Sequence, residues 1–284
     1  MGITAAMAMT TREMFGELNA KKGERMPVVF IGHGSPMNAL EDNPYTRSWH
    51  EIARKIPTPS AILSVSAHWL THGTHVTSME HPKTIHDFYG FPQKLATFEY
   101  PAPGSPKFAD ETKKLITSTE VGLDANEWGL DHGTWSVLTH LYPKADVPVY
   151  QLSIDFYQPG QYHYDLAKEL RSLREKGVLI IGSGNIVHNL RMMRSDGGAY
   201  DWATEFDAKV KELLDKGDHK SLIEYQDLGS AAQLSVPTPD HYYPLLYTMG
   251  ISDEKDKHMY YNEGADLGSV SMRSVFWTDS DLHN

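Results

Sequence analysis

The chain has 284 residues, of which 40% are hydrophobic and 22% charged, with a net charge of −11 at pH 7 and no cysteine. That length supports a large core, and the negative balance argues against nucleic acid as a partner, because phosphate binding needs a positive face. Without cysteine there is no disulfide framework, thiolate metal site or cysteine nucleophile, so a metal here must be held by His, Asp or Glu.

No apolar run reaches the roughly 18 residues that span a bilayer. The N-terminus, MGITAAMAMTTREMFGELNAKKGER, lacks the basic-then-apolar order of a secretory signal. The expectation is a cytoplasmic protein with no membrane partner. Residues 1–25 read as an N-terminal extension and 26–284 as a single catalytic α/β domain.

In chain order, the apolar run Val28–Ile31 reads as a buried strand that ends in Gly32-His33-Gly34. The two glycines leave room for something to approach the imidazole between them. Ala61–Ser66 repeats the pattern and delivers His68. His72 and His75 follow in a loop, because Gly73 breaks any helix there. The stretch Pro82–Pro106 is long and rich in Pro, Phe and Tyr, the mark of a lid or substrate loop. His86, Phe88 and Tyr89 from this loop face a pocket in this reading. Asp131-His132-Gly133-Thr134-Trp135 places His132 in a loop before an apolar helix with Thr134 as N-cap.

Val147–Leu152 is the next buried strand, and Asp165–Lys176 a helix with Leu166, Leu170 and Leu173 on one face, stopped by Gly177. Val178–Ile181 is a strand that leads through Gly182-Ser183-Gly184-Asn185 to His188. Trp202–Lys216 is helical. Asp240 reads as an N-cap with His241 at the first helical position and Pro244 at the fourth, in a helix reaching Met249. Tyr242 and Tyr243 are candidate ring-packing residues, and Ser269–Trp277 is a closing strand.

Strands alternating with helices imply an α/β layered fold with right-handed crossovers. In such sheets ligands bind outside the carboxyl ends of the strands. His33, His68 and His188 each stand at such an end, and His241 at a helix start. One of them alone reads as a structural residue; together, among 15 histidines, they suit a catalytic metal with open positions. The remaining candidates are weaker. His50, His81, His140, His163, His219, His258 and His283 read as surface or structural residues. A dinucleotide fingerprint fails because position 187 is Val, Ser35 is not in a G-x-S-x-G elbow, and there is no P-loop or H-E-x-x-H pair. Residue patterns alone therefore reach a His-metal enzyme, with a zinc hydrolase or a non-catalytic metal-binding protein as alternatives.

The motifs GHGSPM, SAHW, TIHDFYGFP, YPAPGSP, DHGTW, QLSID, SGNIVHNL and SVPTPDHYYPLLY resemble those of the bacterial DOPA extradiol dioxygenases. These are class III extradiol ring-cleaving enzymes related to the large subunit of protocatechuate 4,5-dioxygenase. The resemblance covers about residue 27 to 277, in order. It implies a three-layer α/β fold, with helices flanking a central mixed, mostly parallel sheet and a mononuclear metal at the C-terminal ends of its strands. It implies His33, His68 and His241 as ligands, and His188 as acid/base or as a fourth metal contact. His132 is implied to hydrogen-bond oxygen or substrate, so that His132 and His188 are the catalytic pair. Fe(II) is the expected cofactor. Three neutral imidazoles, in place of two with a glutamate, also match a zinc site, so zinc is the other metal expected. The implied reactants are a small catechol and O2, in a monomer or small homo-oligomer.

Overall fold

The computed structural model describes residues 25–195 and 198–279. The expected N-terminal extension, apart from Arg25, lies outside the described residues, as does His283. Strands β1 (Val28–Gly32), β2 (Ala61–Thr71), β3 (Thr74–Thr77), β4 (Val121–Asp124), β5 (Val149–Asp155), β6 (Val178–Gly184), β7 (Lys257–Tyr261) and β10 (Ser274–Thr278) form one mixed sheet. Its order is β4-β3-β5-β2-β6-β1-β10-β7. The four central strands, β5, β2, β6 and β1, are mutually parallel. Antiparallel β10 and β7 close one side, and β3 joins β5 antiparallel on the other. A separate ribbon pairs β8 (Ala265–Asp266) with β9 (Val270–Ser271).

The central strands are apolar on both faces because both faces are covered. Val28, Phe30, Leu63 and Ile180 point into one core, beneath helices α4 (Gly160–Glu169), α5 (Asp201–Lys216) and α6 (Tyr243–Ile251). Val29, Ile31, Ile62 and Ile181 point into the other, with Trp49 of α1 (Pro44–Lys55) and Trp135 of α3 (His132–Leu141). Helix α2 (Pro106–Leu115) packs against β3 and β4. All nine residues of α6 are buried, which explains its uniformly apolar sequence. The result is the three-layer α/β arrangement expected from the sequence.

Several boundaries moved, each for a local reason. The helix expected over Asp165–Lys176 divides into α4 and a tighter 3-10 turn, Arg171–Lys176, ending at Gly177 with φ 79°. That turn carries Arg174 inward to a two-pronged ion pair with Asp256, both fully buried, while its Nε donates to the Met26 carbonyl. The strand expected from Val147 begins at Val149 instead, because Pro148 has no N–H to give the ladder. The closing segment breaks at Met272-Arg273 into β9 and β10. His75 lies in β3 rather than in a loop.

Candidate metal centre

Three adjacent strands end together. Gly32 of β1 is level with Gly184 of β6, and Ser183 of β6 with Ser66 of β2. His33 follows directly, its backbone N–H donating to the Gly184 carbonyl at 3.1 Å. Beyond Ser66, β2 leaves β6 behind, and its pairing with β5 jumps from Val65↔Leu152 to Leu70↔Ile154. His68 sits inside that bulge, which turns its ring across the strand ends. His241 comes from the turn before α6. Its carbonyl accepts from Asn185 N–H at 2.9 Å, an approach that Gly184 permits because a side chain there would strike that carbonyl. Gly182 likewise lets Pro244 of α6 lie on β6. The glycines after Ile181 are thus packing positions for the segment that carries His241.

The rings of His33, His68 and His241 form a near-equilateral triangle, with centroid separations of 5.1, 5.3 and 5.0 Å. Each is held at Nδ1. His33 Nδ1 meets Ser183 Oγ at 3.0 Å, and that hydroxyl spends its only proton on the Gly133 carbonyl at 2.5 Å. His33 must therefore donate to Ser183, which leaves a lone pair on its Nε2. His68 Nδ1 faces an Asp87 oxygen at 3.1 Å, and His241 Nδ1 bonds the Asp240 carboxylate. Carboxylates only accept, so these rings too, when neutral, present Nε2 lone pairs. His33 Nε2 and His68 Nε2 then stand 3.2 Å apart with no proton between them while both rings are neutral, and the buried His241 Nε2 has no partner. Lone pairs converging in this way repel unless a cation sits among them. Ring nitrogens fixed through carboxylate and hydroxyl partners are the usual outer shell of a metal-binding histidine.

His132 stands beside this triangle, its ring centroid 3.8 Å from that of His68. It is the first residue of α3 rather than a loop residue, because Asp131 caps the helix in place of Thr134 by accepting from Thr134 N–H. Asp131 is fully buried and also accepts from Ser66 Oγ, Gln151 Nε2 and Trp128 Nε1. His132 Nδ1 lies 2.9 Å from the second Asp87 oxygen. His188 stacks on His241, centroids 3.4 Å apart and planes within 7°. Its ring makes no hydrogen bond to protein among the described residues.

Burial, reinforced by neighbouring imidazoles, holds His33 and His241 well below the ordinary histidine range. His188 is pushed down by burial to about 4, and burial and then His68 lower His132. Burial alone would depress His68 too, but the Asp87 and Asp131 carboxylates outweigh it and raise the group. Asp87, despite its own burial, is held well below the usual carboxylate range by His132 and His68. The centre is therefore a cluster of mostly neutral imidazoles ringed by carboxylates.

Other expectations fared differently. The space beside Gly32 and Gly34 is filled by Met272: a Cβ on Gly34 would stand 2.5 Å from its sulfur, and one on Gly32 2.7 Å from its backbone. These glycines admit the bend between β9 and β10, not a ligand. Tyr242 is fully buried against Tyr225 and Phe206, and Tyr243 packs on His163, so both are core residues. Tyr89 is 97% exposed. Phe88 does reach the site, its ring centroid 5.6 Å from that of His132. His86 ties the loop to itself through the Phe98 carbonyl. Asp87, Asp240 and Ser183 were not singled out as supports for the histidines. Asp240 adjoins the histidine it holds, which was the available signal, whereas Asp87 follows His86 and faces His68 and His132 instead.

Comparison with known proteins gives a consistent picture. A family profile described as the catalytic LigB subunit of aromatic ring-opening dioxygenase matches residues 27–271. The chain is 49% identical over 256 residues to 4,5-DOPA dioxygenase extradiol of Escherichia coli strain K12, covering 88% of this chain and 94% of that protein. It is 38% identical over 262 residues to a protein of the same name from Beta vulgaris, covering 88% and 96%. A solved structure of an uncharacterized protein from Escherichia coli K12 superposes with a TM-score of 0.78 at 44% identity, covering 89% of this chain and 99% of that one.

Proposed function

The chain belongs to the LigB family of aromatic ring-opening dioxygenases, and from that premise we propose that it opens catechols of the DOPA type with O2 at a single metal held by His33, His68 and His241. The observation that carries the metal is the set of converging Nε2 atoms, each on a ring whose Nδ1 faces a hydroxyl or carboxylate oxygen, one of them buried without a partner. Fe(II) is the metal we assign for turnover, since zinc has no redox couple, although the same three imidazoles suit zinc. When bound, Fe(II) supplies the redox chemistry and the open positions at which a catecholate and O2 exchange electrons.

The protein's own groups do the rest. His132, bonded to Asp87 through Nδ1, keeps a lone pair on Nε2 and takes a proton from a catechol hydroxyl there. His188 is neutral at pH 7 and is assigned the second proton-transfer role. Its ring stacks on His241 at 3.4 Å with the planes within 7°, an arrangement that favours assigning it the acid/base role over that of a fourth ligand. Phe88 forms an apolar edge for the aromatic ring beside His132. Among the described residues no helix is long and apolar enough to cross a membrane.

Anaerobic loading of apo-protein with Fe(II), followed by DOPA and air, should give O2 uptake and a yellow ring-opened product. Protein that demonstrably holds iron yet turns over no catechol would end the proposal. His33→Ala, His68→Ala and His241→Ala should each lose the metal. His132→Ala and His188→Ala should keep it and lose turnover.

A further inference from the structure

We infer that Asp87 is a positioning residue whose single carboxylate sets the tautomers of two site histidines at once, joining the metal-binding and proton-accepting parts of the centre; this rests on the roles proposed above for His68 and His132. One oxygen of Asp87 lies 3.1 Å from His68 Nδ1, and the other lies 2.9 Å from His132 Nδ1 and 3.1 Å from the His132 backbone nitrogen. An ionised carboxylate offers only lone pairs, so the His132 nitrogens donate to it and the His68 Nδ1 that faces it carries its hydrogen toward it. While both rings are neutral, both imidazoles are thereby held as Nδ1–H, with a lone pair on each Nε2. With the two rings only 3.8 Å apart, neither can turn over without meeting the other.

Asp87 is itself fixed from both sides along the chain. Trp135 Nε1 donates to the Ile85 carbonyl at 2.9 Å, and His86 Nε2 stands 2.8 Å from the Phe98 carbonyl. Phe88 packs edge-on against both His132 and Trp135. The loop thus delivers one charged group to two rings that come from different elements, β2 and α3. No other described side chain touches both ring nitrogens.

Asparagine at 87 has the same shape but one acceptor and one donor. It accepts from one Nδ1–H and donates to the other ring, which must then move its proton to Nε2 and lose the inward lone pair. The test is Asp87→Asn, with Asp87→Glu as a companion that keeps two acceptors. The first readout is the 15N–1H correlation pattern of the imidazoles in metal-free protein, recorded at alkaline pH where both rings are neutral. Wild type and Asp87→Glu should show His68 and His132 both as Nδ1–H, and Asp87→Asn should convert one of them to Nε2–H. The second readout is Co(II) affinity, expected to fall about 10- to 100-fold in Asp87→Asn, with kcat falling more than KM changes. Either ring found as Nε2–H in the wild type overturns the inference, a reading that needs no variant to fold. So does Asp87→Asn with both rings still Nδ1–H and Co(II) affinity within twofold of wild type. Because tautomers are read without metal, failure of catechol cleavage would leave this result standing, and the reverse also holds.

Discussion

Gly133→Ala should damage the metal centre more than the fold. A Cβ at Gly133 would stand 2.6 Å from Ser66 Oγ, 2.8 Å from His68 Cδ2 and 3.3 Å from Asp131 Oδ1. The contact with the His68 ring falls about 0.6 Å short of the 3.4 Å at which ordinary contact begins. The ring cannot swing away freely, since Asp87 holds its Nδ1 at 3.1 Å. Ser66 is equally committed, donating to Asp131 at 2.6 Å. Two stability effects oppose each other: crowding of this kind costs about 1–3 kcal/mol, while replacing a helical glycine by alanine returns about 1 kcal/mol. The net loss should be about 0–2 kcal/mol, visible as a small fall in the urea midpoint. The site is less forgiving, because a displacement approaching 1 Å costs about 100-fold where geometry is set by bonded partners. Calorimetric titration with Co(II) or Fe(II) should therefore show affinity reduced about tenfold or more. Affinity and turnover within twofold of wild type would refute the view that Gly133 is there to admit His68.

Two further outcomes concern stability. Arg174→Met leaves the fully buried Asp256 with Arg25 as its remaining cation, so unfolding in urea should show a loss of about 3 kcal/mol; a change within experimental error would mean that the pair contributes nothing. Burial holds His163 at about 4, against 6.5 when exposed, so the unfolded chain takes up a proton in that interval that the folded chain refuses. The corresponding stability, about 3 kcal/mol, is fully present above pH 6.5 and is lost as the pH falls toward 4. Compared by urea unfolding at several pH values, His163→Gln should show a shallower decline across that window than wild type. Parallel curves would contradict the assignment.

The strand-end histidines were legible because a run of apolar residues that stops abruptly at a polar one is a strong local signal. Val28–Ile31 before His33 and Ile62–Val65 before His68 needed no tertiary information. What the linear pattern could not carry was anything set by a partner far along the chain. The bulge that aims His68 exists only because β2 pairs with β5 out of step. Met272, distant in sequence, explains Gly32 and Gly34, which invited a different reading. Short β3 and β4 have too few residues to show a period of two. Asp131 and Thr134 are both good caps, and the choice between them fell to the buried network of Ser66, Gln151 and Trp128.

The position of β1 has a consequence for biosynthesis. Although it is the first strand among the described residues, its two neighbours are β6 at residues 178–184 and β10 at residues 274–278. A nascent chain on the ribosome therefore carries β1 unpaired until residues 178–184 have been made, and with one side open until residue 278. The high sequence separation of these pairings predicts slow maturation. It also makes the far C-terminal strand a direct support for His33: shortening the chain before residue 278, or appending a bulky tag close to it, should be felt at the imidazole that follows β1.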